Sequence, residues 1–195
     1  MNEINVSKRD LNAKAKKLRR EGLVPATVCG GNFKESVAVT VTQADAVKLL
    51  ATHNIGSRLD IILDGKKVPV QLKEKSLDPM GKEIYNISFQ ALKADQKVKS
   101  VAHVVLLNTD KVTAILEQMM MDIPYSSLPR YMIDTIEVDV DGMGAGTTVT
   151  VGDIKELQSE NLELHADNDE IVFRIVESIK GKAEAEEAEE EEKAE

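Results

Sequence analysis

The chain has 195 residues, 42% hydrophobic but only 3% aromatic and without Trp, so its core must be built from Val, Ile, Leu and Met. A single cysteine, Cys29, excludes an internal disulfide and a multi-cysteine metal site, which fits a reducing compartment. The formal net charge is −9, yet residues 7–20 hold seven basic groups against one acid, and residues 181–195 hold eight Glu and two Lys. The average conceals a basic head and an acidic tail.

Alternating Ile4 and Val6 predict a first strand. Leu11, Ala15 and Leu18 follow at helical spacing, and Lys14, Lys16, Lys17, Arg19 and Arg20 fill the other positions. Gly22 is placed to end that helix in a left-handed conformation. Val24–Cys29 reads as a strand with Pro25 near its start, where a missing N–H is tolerated. Gly30-Gly31 turns into a strand over 36–41. Thr42 caps a helix over 43–53. Then "RLDIIL", Asp64-Gly65 and "KKVPVQL" carry the signature of a hairpin. "SLDPMGKE" is expected to be a loop and "IYNISFQAL" a strand. So many short strands joined by short turns suit a small barrel.

A second β-rich stretch follows. Residues 98–107 read as one long strand or a pair, and "KVTAILEQMMMDI" is ambiguous between helix and strand. Met119-Met120-Met121 is expected to fill gaps in the packing. "DTIEVDV" alternates, "DGMGAG" turns, "TTVTV" continues as a strand, and "GDIKEL" suggests a short helical turn. "LELHADNDEIVFRIV" reads as two strands around a polar turn. The expected organisation is a first domain over 1–92, a second over 93–180 and an acidic, disordered tail over 181–195. The tail serves solubility, or competes with non-specific RNA for the basic head.

Signals for catalysis are absent. "GMGAG" lacks the spacing and the following helix of a dinucleotide fingerprint. "DVDG" and "HADNDE" lack the full ligand set of a Ca²⁺ loop, so no metal is expected. His53, His103 and His165 are scattered, and Cys29 sits in an apolar strand pattern that suggests a buried thiol. An enzyme using Cys29 as nucleophile is the most distant alternative. No cofactor or small-molecule substrate is implied. The opening "MNEINVSKRD" has no apolar signal region, and no run reaches the roughly 20 apolar residues that span a bilayer, so a soluble, cytoplasmic protein without a membrane partner is expected.

The basic segment stands apart. A solvated helix face usually mixes signs, but no acid interrupts the cations between Leu11 and Arg20. Like charges this close oppose the helix unless an anion relieves them. A polyanion supplies that relief, with an affinity that falls steeply with salt.

"KRDLNAKAKKLRREGLVPATVCGGN" resembles the opening of the bacterial large-subunit ribosomal protein twenty-five family, also called general stress protein Ctc. That family opens with an Arg, a basic "RRLR"-like helix, a "G-x-V/I-P-A/G" turn and a "V-x-Y-G" strand. Arg9, Lys16-Lys17-Leu18-Arg19, Gly22 to Ala26 and Val28-Cys29-Gly30 stand at those places. "LDPMGKEIYNISFQAL" is similar to the segment that closes the family's first domain. There Asn86 and Ser88 replace a His and an Asp, and Ser76 replaces a Gln. "LPRYMIDTIEVDVDGMGAGTTVTVGDIKEL" and "DNDEIVFRI" resemble its second domain, in the long two-domain form.

The resemblance implies a mainly β protein: an N-terminal β-barrel that binds 5S rRNA, plus a C-terminal β-rich domain. It implies a structural ribosomal protein, not an enzyme, that meets the minor groove of the loop E region in the central protuberance of the large subunit. Neighbouring ribosomal proteins are then further partners. The implied RNA-binding residues are Arg9, Lys14, Lys16, Lys17, Arg19 and Arg20 at phosphates, with Asn86 and Ser88 for closer readout. The alternative is a divergent, stress-related paralogue acting off the ribosome as a protein-interaction module.

Overall fold

The computed structural model describes residues 3–177 except 11, 32, 34, 81, 82, 113 and 160. Leu11 and the acidic segment 181–195 lie outside the described residues. The chain divides into two compact units. The first takes in residues up to 102 together with 124–134 and 161–163, and the second takes in 103–123, 135–160 and the residues from 164 on.

The first unit is centred on a closed barrel. Its strands are β1 (Glu3–Lys8), β2 (Leu23–Gly30), β3 (Val37–Thr42), β4 (Arg58–Leu63), β5 (Lys66–Leu77) and β6 (Ile84–Ala91). They close in the order β1-β3-β2-β6-β5-β4. The β1–β4 and β2–β6 pairs are parallel and the others antiparallel. Alternation dictates the interior: Ile4 and Val6 of β1 are buried, while Glu3, Asn5 and Ser7 face water. Val28, Val39, Ile61, Val70, Leu72, Ile87 and Phe89 complete a core of mostly branched aliphatic side chains. Pro25 is tolerated because the pairing of β2 with β6 begins one residue later, at Ala26.

Two helices belong to this unit, α1 (Ala15–Arg20) and α2 (Gln43–Thr52). In α2, the Thr42 hydroxyl accepts from the Asp45 N–H at 3.2 Å, an N-cap that satisfies an otherwise orphan donor. Ala46 and Leu49 turn into the barrel core. The β4–β5 hairpin forms at Asp64-Gly65, both with positive φ, at 51° and 74°. That is the twist a two-residue hairpin needs. β5 then runs five residues beyond the expected arm, because β6 supplies a partner as far as Leu77. Its extension "KEKSL" is largely solvent-facing and carries no apolar alternation.

Strand β7 (Val98–Leu107) is one continuous strand, and β8 (Ile115–Gln118) and β9 (Asp122–Ser127) resolve the ambiguous segment as β. Within the first unit, Ser100 Oγ donates to Gly56 O at 3.0 Å, and Gln71 Nε2 to Lys99 O at 3.1 Å. A Cβ on Gly56 would lie 2.6 Å from Val101 O, so only glycine permits this approach. The fully buried Tyr125 closes the following loop: its hydroxyl donates to Ile133 O and accepts from the Ile133 N–H, both at 2.8 Å.

Asp134 ends that loop, and its carboxylate accepts from the Arg58 backbone N–H at 3.3 Å. Burial pushes its pKa above the ordinary 3.8, against the pull of that hydrogen bond and of the His53 and Arg58 charges. A raised folded pKa means that the ionised form weighs against folding at neutral pH, and that this burden lifts as pH falls through the folded pKa. Asp134→Asn keeps a carbonyl acceptor and removes the charge. Its melting temperature should exceed that of the unaltered chain at pH 7, and the gain should vanish below the ordinary carboxylate pKa. A lower melting temperature at pH 7 would show that the charge is satisfied in place.

The second unit contains β8, β10 (Thr135–Asp139), β11 (Thr148–Thr150) and β13 (Ile171–Val176). β12 (Leu162–Leu164) is a short strand between the last two. β11, β13 and β8 form an antiparallel sheet, and β10 runs parallel to β7 from His103 to Leu107. Val104, Ile136, Val151, Leu157, Phe173 and Ile175 are buried. "GDIKEL" falls in two 3₁₀ turns, Val151–Asp153 and Lys155–Gln158. A capping box opens the first, in which Thr150 N–H and Oγ1 both donate to Asp153 Oδ2 at 2.8 Å. Those bonds hold the Asp153 carboxyl below its ordinary pKa. Gly142 and Gly146 turn the chain with positive φ, and a strand follows them.

Two expectations are corrected. Met119 and Met121 are 56% and 60% exposed and Met120 is half-buried, so the methionine triplet is not core packing; it follows the end of β8 at Gln118. Cys29 is half-buried, not buried: it points away from the barrel interior, and its thiol donates to Phe89 O at 3.4 Å. No helix among the described residues is long and apolar enough to cross a membrane.

Candidate nucleic-acid interface

Helix α1 is short because its sequence supports only six residues. Its N-cap, Lys14, provides no side-chain hydrogen bond, and the first turn has no acid to meet the helix dipole. The last turn does better, since Lys17, Arg19 and Arg20 lie where the dipole is negative. Gly22, at φ 76°, stops the helix. Leu18 is its buried anchor, and the Gly22 carbonyl accepts from the Gln43 N–H at 2.8 Å, fixing the helix end against the start of α2.

This anchoring leaves Lys14, Lys16, Lys17 and Arg20 exposed. Lys17 makes a loose pair with Glu21 at 3.8 Å. Lys14, Lys16 and Arg20 make no ion pair with a described residue. Three free cations within two helical turns repel each other and attract a polyanion.

Arg19 is held differently. Its guanidinium lies 5.0 Å from the centroid of the Tyr85 ring, and its Nε is 3.7 Å from Glu83. The longer contact is an attraction of charges without a hydrogen bond, consistent with a buried Nε that has no hydrogen-bond partner. The Tyr85 hydroxyl donates to Asp78 at 2.6 Å, which raises its pKa. A chain of contacts thus runs from α1 through Arg19 and Tyr85 to the β5–β6 turn. It brings the basic helix beside β6, where Asn86 and Ser88 point outward.

Asn86 and Ser88 are half-buried on the barrel's outer face, flanking the buried Ile87. Asn86 Nδ2 reaches Ser88 Oγ only at 3.5 Å, so both keep hydrogen-bonding capacity for a ligand. Pairing extends this face: Ser88 lies beside Thr27 of β2 and Glu74 of β5, and Asn86 beside Ser76. Thr27 pairs with Ala38, and the Ala38 carbonyl accepts from the Arg9 N–H at 3.0 Å. Arg9 therefore follows β1, three strands around the six-stranded barrel from β6. Its Nη2 donates to Ala13 O at 2.9 Å, tying down the loop that leads into α1.

The eight residues expected from the sequence fall in three places: Lys14, Lys16, Lys17, Arg19 and Arg20 on or beside α1, Asn86 and Ser88 on the outer face of β6, and Arg9 just after β1. Lys14, Lys16 and Arg20 are free cationic ends, Lys17 is loosely paired with Glu21, Asn86 and Ser88 are outward polar groups, and Arg9 and Arg19 are partly engaged. Sequence reasoning missed Tyr85, which seats Arg19, and Thr27, which widens the polar row. Tyr85 was legible only as one of three tyrosines, and nothing local links it to a residue 66 positions away.

Residues 4–89 match the model of the Ribosomal L25p family, and residues 97–178 match that of the ribosomal protein TL5 C-terminal domain. A protein of Dictyoglomus thermophilum titled large ribosomal subunit protein bL25 is 30% identical over 186 residues, covering 89% of this chain and 88% of its own. The chain belongs to the ribosomal L25p family. A bL25 of Gloeothece citriformis is 28% identical over 193 residues, covering 94% of this chain and 95% of its own. One from Nitrosomonas europaea is 29% identical over 175 residues, at 84% and 86%. The L25p family is structural and non-enzymatic, which agrees with the lack of catalytic motifs.

Proposed function

We propose that this chain is a structural component of the large ribosomal subunit in the cytoplasm, and that its first unit binds 5S rRNA at the loop E region. The observation that carries this reading is the pairing of two surfaces: the uncompensated cations of α1, and the outward polar row of β6 that Arg19 and Tyr85 bring beside them. Phosphate contacts position a protein on RNA, and polar groups on a rigid strand reach 2′-hydroxyls and base edges in the wide A-form minor groove. Lys14, Lys16, Lys17 and Arg20 supply the first kind of contact. Asn86, Ser88 and Thr27 supply the second. Arg9 and Arg19 hold the loop and helix in place while leaving guanidinium N–H groups for the RNA. Residues 1–92 carry the RNA contact, and 93–180 meet neighbouring ribosomal components.

A titration of the full chain against 5S rRNA, with a loop E mutant RNA as control, tests this. Tight, salt-sensitive binding that weakens at least tenfold with the mutant RNA is expected. Equal affinity for both RNAs would reject loop E. A chain that stays off sedimented ribosomes in low salt would favour an off-ribosome interaction module.

A further inference from the structure

We propose a second RNA-phosphate contact on the first unit, in a cleft where Arg58 and Arg130 converge. It rests on the reading of this unit as RNA-binding. The two arginines are 72 positions apart in the chain, yet both line one cavity of about 130 Å³ whose walls are Pro69, Leu92, Ala94 and Pro129. Arg58 Nη1 donates to Pro129 O at 3.2 Å, which pins its guanidinium against the turn that carries Arg130. Arg130 leans toward the Tyr131 ring at 5.8 Å. Neither guanidinium forms an ion pair with a described residue. Asp134 is close in the fold: its carboxylate accepts from the Arg58 backbone N–H and feels the Arg58 charge, but it is not among the residues that line the cleft.

Two arginines that line one cleft with an apolar floor and no carboxylate in its lining make it electropositive and suited to an anion. The planar fork of arginine suits phosphate, and an apolar floor of proline and leucine suits the sugar or base that accompanies it. Position argues for a long anion. α1 is tied to the start of β6 through Tyr85, and Leu92 follows the end of β6 at Ala91. Eight strand residues separate the two by roughly 25 Å. One RNA can span that distance, whereas a single small anion cannot meet both.

The test compares the full chain with an Arg58→Gln, Arg130→Gln double variant, using full-length 5S rRNA and salt-washed large subunits as probes. On both probes the variant should bind several-fold more weakly, and the slope of log affinity against log salt should fall by about 1 to 2, the loss of one to two phosphate contacts. The variant loses the Arg58 bond to Pro129 O and the Arg58 charge beside Asp134, so its melting temperature should fall somewhat, and binding is compared at a temperature where melting shows both chains fully folded. Unchanged affinity and slope on both probes overturns the proposal while leaving the 5S rRNA reading intact. A slope change on subunits when the unaltered chain does not bind 5S rRNA keeps the cleft and rejects the 5S assignment. A change on subunits alone, when the unaltered chain does bind 5S rRNA, overturns the claim that one RNA meets both surfaces.

Discussion

Replacing both Lys16 and Lys17 with Glu should cut affinity for a 5S rRNA loop E fragment by about thirtyfold or more at 0.15 M salt. The figure follows from counterion release: two lost phosphate contacts lower the salt slope by about 1.8, and that slope acts over the interval from 1 M to 0.15 M. Reversed charges add repulsion, so thirtyfold is a lower estimate. Both side chains are exposed, and neither contributes to the barrel core. Lys17→Glu does place a carboxylate beside Glu21, one helical turn away, where a lysine now stands at 3.8 Å. Such an exposed like-charge pair costs only a few tenths of a kcal/mol. Circular dichroism should therefore show an intact fold, and a Lys16→Gln, Lys17→Gln chain should bind with intermediate affinity. Affinity within twofold of the unaltered chain would remove α1 from the interface.

The second large effect lies in the core. Phe89 is fully buried in β6, pairs with Leu72, and its carbonyl accepts from the Cys29 thiol. Phe89→Ala should destabilise the barrel by about 3–5 kcal/mol, through lost burial and the cavity left behind. A domain is typically stable by only about 5–15 kcal/mol, so the barrel would be close to unfolding. Phe89→Leu retains most of the volume and should lose about 1.5 kcal/mol or less. Denaturant midpoints measure both. RNA binding should follow stability, because Asn86 and Ser88 are presented by the strand that Phe89 anchors. Equal midpoints for the Ala and Leu variants would mean that the site collapses around the gap.

The barrel strands were legible because alternation is a local signal. Ile4 and Val6, "SVAVTV" and the Asp64-Gly65 hairpin each declare themselves within a few residues. Gly22 and Thr42 likewise act through their own turns. What escaped the sequence depends on distant partners. β5 extends to Leu77 only because β6 lies beside it, and Cys29 proves half-buried because Val28, not Cys29, takes the inward position on β2. Met119 and Met121 look like core by type, but their place after β8 leaves them uncovered. Within the site, charge density exposed α1 at once. The seating of Arg19 on Tyr85 is a product of barrel closure, and the cleft shared by Arg58 and Arg130 arises where segment 124–134 joins the first unit; no window of sequence contains either.

The parallel pairings of the barrel also bear on when the protein can work. β1 joins β4 across more than fifty residues, and β2 joins β6 across about sixty. Such non-local contacts make closure slow compared with helix formation. Arg19 and Tyr85 meet only once β6 has docked onto β2. A chain emerging from synthesis therefore carries its cations long before it can aim them. Until its last barrel strand is in place, it can hold RNA by charge but not by shape.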